Sequence, residues 1–226
     1  MVAQLLRDDP HVDWDEALEF RLTYQGTLLS ETEKGRLQKA RATHKQEIRK
    51  ALHPQLRHLW KINPYLASAS LPPPPTQNPG VMGRVFGRPK PENSIEGLAE
   101  RFKLNGYRFV PLVTESVDVL CSVDVLFLRA GPPGSVYRHG DIDNRLKTLF
   151  DGLTMPIDAM QLGDYATPSG DEDPFFCLLQ NDAMITRASV ETDTLLDPNC
   201  GPNDARVIMT IKLWPHSLRS DNIGFG

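Results

Sequence analysis

The chain has 226 residues, 40% hydrophobic and 24% charged, with a net charge of -4 at pH 7, a composition that supports one domain with a sizeable core and excludes a disordered chain. Cys121, Cys177 and Cys200 are odd in number and contain no CxxC pair, which excludes a disulfide framework or structural zinc site and implies a reducing, cytoplasmic compartment. No apolar run is long enough to span a bilayer, and Met1 to Pro10 lacks the basic start and apolar stretch of an export signal.

Ala17 to Leu29 places Leu18, Phe20, Leu22 and Tyr24 on alternate positions, which predicts a half-buried strand. Ser30 and Glu33 then form a capping-box pattern that opens a helix. Leu37, Ala40, His44, Ile48, Ala51 and Leu52 supply its apolar stripe, and Pro54 is expected to kink or end it. Gln55 to Ile62 adds another turn or two. Between Lys34 and Lys61 nine basic residues face one acid, Glu47, a local net charge of +8 within an acidic chain. That asymmetry is the footprint expected of phosphate contacts, with Lys39, Arg41, Lys45 and Arg49 as candidate nucleic-acid-binding residues; a solvated helix face is the bland alternative.

From Asn63 to Ser94 the chain is rich in proline and glycine, including Pro72 to Pro75, and reads as a polyproline-tending excursion. Its cations Arg84, Arg88 and Lys90 read as incidental to a linker. A short helix over Ser94 to Lys103 and a strand over Val117 to Leu128 follow, then a turn at Gly131 to Gly134. A second helix ends near Leu153. Thr154 to Pro174 is polar and turn-rich, Met184 to Leu195 reads as a strand, and Arg206 to Trp214 as a closing strand paired with it. The expected fold is a single α/β (α+β) domain over 1–226, a small mixed sheet with two main helices in the core order βαβαββ. Residues 63–116 form a Pro-rich, partly helical insertion and 154–176 a polar loop insertion.

The second helix concentrates the chemistry. Ile142, Leu146, Leu149, Phe150 and Leu153 share one apolar stripe, with Asp143 and Lys147 on its shoulder and Asp151 further round. Asp141 stands at the helix start, where a carboxylate caps free N–H groups. Two acids one residue apart, beside a lysine one turn on, suit a divalent cation and a phosphate. The same residues also read as an ordinary capped helix in which Lys147 pairs with Asp143 and Asp151 at i,i+4 spacing.

Asp141-Ile142-Asp143-Asn144, then Lys147, then Asp151-Gly152-Leu153, with Asn181-Asp182-Ala183 opening a later strand, resembles the RusA-type Holliday-junction resolvase family over roughly half the chain. The resemblance implies that Asp141, Asp143 and Asp182 bind Mg²⁺, with Mn²⁺ as a substitute, and that Lys147 is the catalytic lysine. Asp164, Asp171 and Asp173 rival Asp182 as the third carboxylate, because the stretch from Asp151 to Asp182 is long for the family. Asn181 stands where the family often has an aspartate. The segment Val136 to Gly140 is less basic than in junction-binding members; Arg138 is its candidate DNA contact, and His139 is assigned no role. The implied activity is metal-assisted hydrolysis of phosphodiesters in branched DNA by a symmetric homodimer, bacterial or phage-encoded. A catalytically silent binding module on the same fold, and a nuclease acting on RNA or flaps, are the alternatives.

Overall fold

The computed structural model describes residues 18–29, 38–68, 91–130, 142–201, 203–217, 219 and 222–225. Its elements are β1 (Leu18–Thr27), α1 (Gln38–Ile62), α2 (Pro64–Ser68), α3 (Ile95–Arg101), β2 (Lys103–Leu104), β3 (Tyr107–Val113), β4 (Val119–Arg129), α4 (Ile142–Leu153), β5 (Phe175–Leu179), β6 (Ile185–Thr194) and β7 (Asp204–Pro215). The chain is a mixed α and β fold. The expected core order holds as β1, α1, β4, α4, β6, β7, with three further strands lying within or at the edges of the stretches read as insertions. No described helix is long and apolar enough to cross a membrane.

Period-two burial builds the main sheet. Ala205, Val207, Met209, Ile211 and Leu213 of β7 are each 2% exposed or less, and β7 runs antiparallel between β1 and β4. β4 pairs parallel with β6, giving the order β1-β7-β4-β6. This corrects the expected pairing of the last two strands: β4 lies between them. The hydrophobic run of β4 makes it the natural centre, flanked on both sides.

The second sheet, β2-β3-β5, was not anticipated. β3 (YRFVPLV) and β5 (FFCLL) pair parallel and are buried almost throughout. Strands covered on both faces carry no alternation to read. Pro111 is tolerated because β2 pairs only with Tyr107 and Arg108, so β3 has one neighbour at that point.

Helix α1 lies over both sheets, and it does not stop at Pro54 but runs 25 residues through it. Tertiary packing outweighs the local cost: Leu52 and His53 before the proline, and Leu56 and Trp60 after it, are all 3% exposed or less. Gln55 adds a tie to β1, accepting from Thr23 N–H at 2.9 Å and donating to Thr23 O at 2.7 Å. Ala40 and Ala51 of the expected stripe are exposed, while Gln46, Arg49 and His53 are buried. The cap Ser30 to Glu33, Leu37, Lys34, Arg36, the proline run and the turn at 131–134 lie outside the described residues. Ser94 caps α3 by accepting from Gly97 N–H at 3.1 Å.

Candidate functional site

The orientation of α4 is set from α1. Gly152 lets the two helices touch: a Cβ there would stand 2.5 Å from Ile48 Cγ2. Leu149 and Leu153 are buried, which stabilises the packed helix by about 2 kcal/mol each. Arg49, 3% exposed, then closes the end of α4, with Nε donating to Thr154 O at 2.7 Å and Nη2 to Asp151 O at 2.9 Å. A cation on unpaired C-terminal carbonyls is favourable both as a cap and against the helix dipole. Its Nη1 also reaches Gln161 O at 3.3 Å and Gln46 Oε1 at 3.2 Å. Burial lowers the Arg49 pKa to about 10, so it stays charged at neutral pH.

This corrects the expectation that Arg49 contacts nucleic acid, since its donors are turned inward on backbone oxygens. Lys45 is largely covered and pairs with Asp151 at 2.5 Å. Lys39 pairs at the surface with Asp164, also at 2.5 Å. Lys50 holds Glu172 at 2.7 Å, and Arg57 donates to Asp171 O at 2.9 Å. The basic face of α1 is therefore in large part an internal counter-charge for the loop 154–174. Arg41 lines a pocket of about 480 Å³ between α1 and that loop. Arg138 lies outside the described residues.

The loop is clasped accordingly. Asp164 accepts from Thr43 Oγ1 at 3.1 Å, and its hydrogen bond from Lys39 lowers its pKa. Burial would raise the Glu172 carboxyl, but Lys50 and the Ser169 N–H prevail and hold it below its ordinary value. His53 accepts from Phe176 N–H at Nδ1, 2.9 Å, and donates from Nε2 to Asp171 O, 3.1 Å. Those bonds assign the neutral tautomer, and burial lowers the ring's pKa below 6.5.

On the outer side of α4, Asp143, Lys147 and Asp151 follow at i,i+4 spacing, next to the half-buried Leu146 and Phe150. With Asp182 and Ile185 they line an open cleft of about 410 Å³. The predicted shoulder of the apolar stripe is thus the cleft wall. Asp182 arrives from elsewhere in the fold, at the start of the 3₁₀ turn Asp182–Met184 where the chain crosses from β5 to β6. Two backbone contacts fix that crossing against α4: Thr154 bridges Leu179, and Met155 N–H donates to Leu179 O at 2.9 Å.

Of the four residues to which the resolvase resemblance gives a role, Asp143, Lys147 and Asp182 line one cleft, and Asp141 lies outside the described residues. The rivals to Asp182 are engaged elsewhere: Asp164 with Lys39, and Asp173 with Arg108 at 2.8 Å. The Asp171 backbone oxygen holds His53 and Arg57. Among the described residues no three His, Cys, Asp or Glu side chains converge as a metal site. The donors that do meet are hard oxygens. Asn181, next to Asp182 in the motif, lines the neighbouring pocket between α1 and the loop and not the cleft, and its side-chain oxygen is buried with no hydrogen-bond donor.

Set against known proteins, the chain matches no family model, no curated protein and no solved structure.

Proposed function

We propose that the protein is a Mg²⁺-dependent endonuclease of the RusA type that cleaves phosphodiesters in branched DNA such as Holliday junctions. The observation that carries the reading is the meeting of Asp143, Lys147 and Asp182 at one cleft, brought from two elements nearly forty residues apart. Asp141, Asp143 and Asp182 would hold the cation, with Mn²⁺ able to substitute. When bound, the ion supplies a polarised phosphate and a water acidified enough to attack at neutral pH.

The chain's own residues do the rest. Lys147, one turn beyond Asp143, binds a non-bridging phosphate oxygen and offsets the charge that grows on it during displacement. Leu146, Phe150 and Ile185 give the cleft an apolar floor, which strengthens those electrostatic contacts by lowering the local dielectric. Asp151 holds Lys45 at the cleft margin. DNA affinity comes from cations at the surface of α1, chiefly Lys39 and Arg41, and from Arg138. The protein works in the cytoplasm of a bacterial or phage-infected cell, as a homodimer whose symmetry suits paired nicks.

The internal pairing of Lys45, Lys50 and Arg49 favours a second reading, a binding module on the same fold in which the acidic cleft does no chemistry. A cleavage panel of junction, flap, linear duplex and RNA with Mg²⁺, Mn²⁺ or EDTA separates them. Metal-dependent nicking of the junction, lost in Asp143→Asn, supports the nuclease; no cleavage of any substrate with either metal would leave the binding module.

A further inference from the structure

β6 departs from the rest of the main sheet. Every second residue of β7 is buried, whereas all six residues from Thr186 to Glu191 of β6 are exposed. Ala188, Val190 and Thr192 align with Val123, Val125 and Phe127 of β4, each 3% exposed or less. Ala188 and Val190 thus sit on the core side of the sheet, yet Val190 is 37% exposed. Among the described strands β4 is the sole neighbour of β6, which leaves a ten-residue edge. Long open edges are normally blunted by lysine, proline or a bulge. Here the one irregularity lies at the start, the register from Arg187 to Thr194 is continuous, and among the described contacts a single edge amide, Thr194 N–H, is met by the Asp193 carboxylate at 2.7 Å, a bond that pairing would exchange.

Thr186 to Thr194 reads TRASVETDT. Turned about Val190 the segment complements itself: Arg187 falls opposite Asp193, Ser189 opposite Glu191, Ala188 opposite Thr192, Thr186 opposite Thr194. We propose that two copies of this chain pair antiparallel through β6 about a two-fold axis at Val190, forming one continuous eight-stranded sheet. Opposed residues of an antiparallel ladder share a face. Arg187 therefore meets Asp193 of the partner subunit on the outer face, twice by symmetry, and the two Val190 side chains meet on the inner face. Within one chain Arg187 is 58% exposed and only 3.8 Å from Asp124, a loose contact that leaves it able to turn toward a second strand. This charge pattern selects a second copy as the occupant over an unrelated strand.

Ile185, the first residue of β6, lines the candidate cleft. Pairing centred on Val190 sets the two Ile185 residues ten steps apart along the ladder, ~33 Å at 3.3 Å per residue. The inference gives the two-fold assembly proposed above its surface, and rests on that reading only for the meaning of the two clefts.

Sedimentation velocity of the full chain over a concentration series tests it, with Arg187→Asp, Asp193→Arg and the double variant, folding being checked by circular dichroism. The wild type is expected to dimerise. Each single variant sets like charges opposite one another and should weaken the dimer about ten-fold, and the double variant should restore it. A monomeric wild type, single variants that dimerise undiminished, or a double variant no tighter than the singles would each overturn the surface. Cleavage of branched duplex by the same samples reports separately: cutting without this dimer removes only the surface, and this dimer without cutting removes only the nuclease.

Discussion

Arg49 Nε donates to Thr154 O at 2.7 Å, so a residue of α1 closes the C-terminal end of α4, the helix that carries Asp143 and Lys147. The side chain is a positioning device for the cleft. Arg49→Met keeps the volume but strips the carbonyls of Asp151, Thr154 and Gln161 of their donor. It should cost about 3 kcal/mol in urea unfolding. Arg49→Lys should recover little, because one ammonium cannot span oxygens that a planar fork reaches together. Wild-type stability in both variants would remove the clamp.

If the proposed nuclease reading holds, Asp143→Asn and Asp182→Asn should each abolish cleavage with the fold intact, since each deletes the charge of a proposed ligand and keeps the side-chain volume. Lys147→Ala should retain Mn²⁺ binding by calorimetry and lose turnover by roughly 10² to 10³, the usual cost of removing one group that stabilises developing charge. Cleavage at wild-type rate in either carboxylate variant would end the assignment, and loss of Mn²⁺ binding in the lysine variant would end the role given to Lys147.

Gly152→Ala should destabilise by about 1–3 kcal/mol, as overpacking does, because its methyl would stand 2.5 Å from Ile48 Cγ2. Ile48→Ala in the same chain makes room for it. A double-mutant cycle should then return a clear coupling term; strictly additive effects would show that the helices are not held at that distance.

Stability should fall as pH drops below 6.5. His53 is neutral in the fold with its pKa lowered by burial, so between that lowered value and 6.5 the unfolded chain binds the extra proton. Its contribution is complete above 6.5 and drains away as pH falls toward the folded value. Asp164 and Glu172, with lowered carboxyl values, act only below about 4.5. Thermal unfolding from pH 7.5 to 5 should therefore lose part of its slope in His53→Gln; an unchanged slope would assign the dependence to another group.

The periodic parts of the fold were legible in the sequence: Leu18 to Tyr24 as a strand, Ser94 to Lys103 as a short helix, and the stripe through Leu149 and Leu153 with Asp143 and Lys147 at its shoulder. What escaped was set by distant partners. Phe109 and Phe175 belong to strands with no alternating face, so nothing local marked them. The pairs of Lys39 with Asp164 and Lys50 with Glu172 join residues more than a hundred positions apart, so the basic run read as open surface. The resemblance already pointed to Asp182; what no local pattern could show is that its rivals Asp164 and Asp173 are held by Lys39 and Arg108.

Gln55 gives the main sheet two unlike borders. By engaging both backbone groups of Thr23, it occupies β1 at the place where another strand would have to dock, while β6 at the opposite border is met, among the described contacts, only at its last residue, where Asp193 accepts from Thr194 N–H at 2.7 Å. Growth by strand addition is then one-sided. A second copy joined at β6 as proposed would present only a second guarded border, so the assembly would terminate at two chains and not propagate into a fibre.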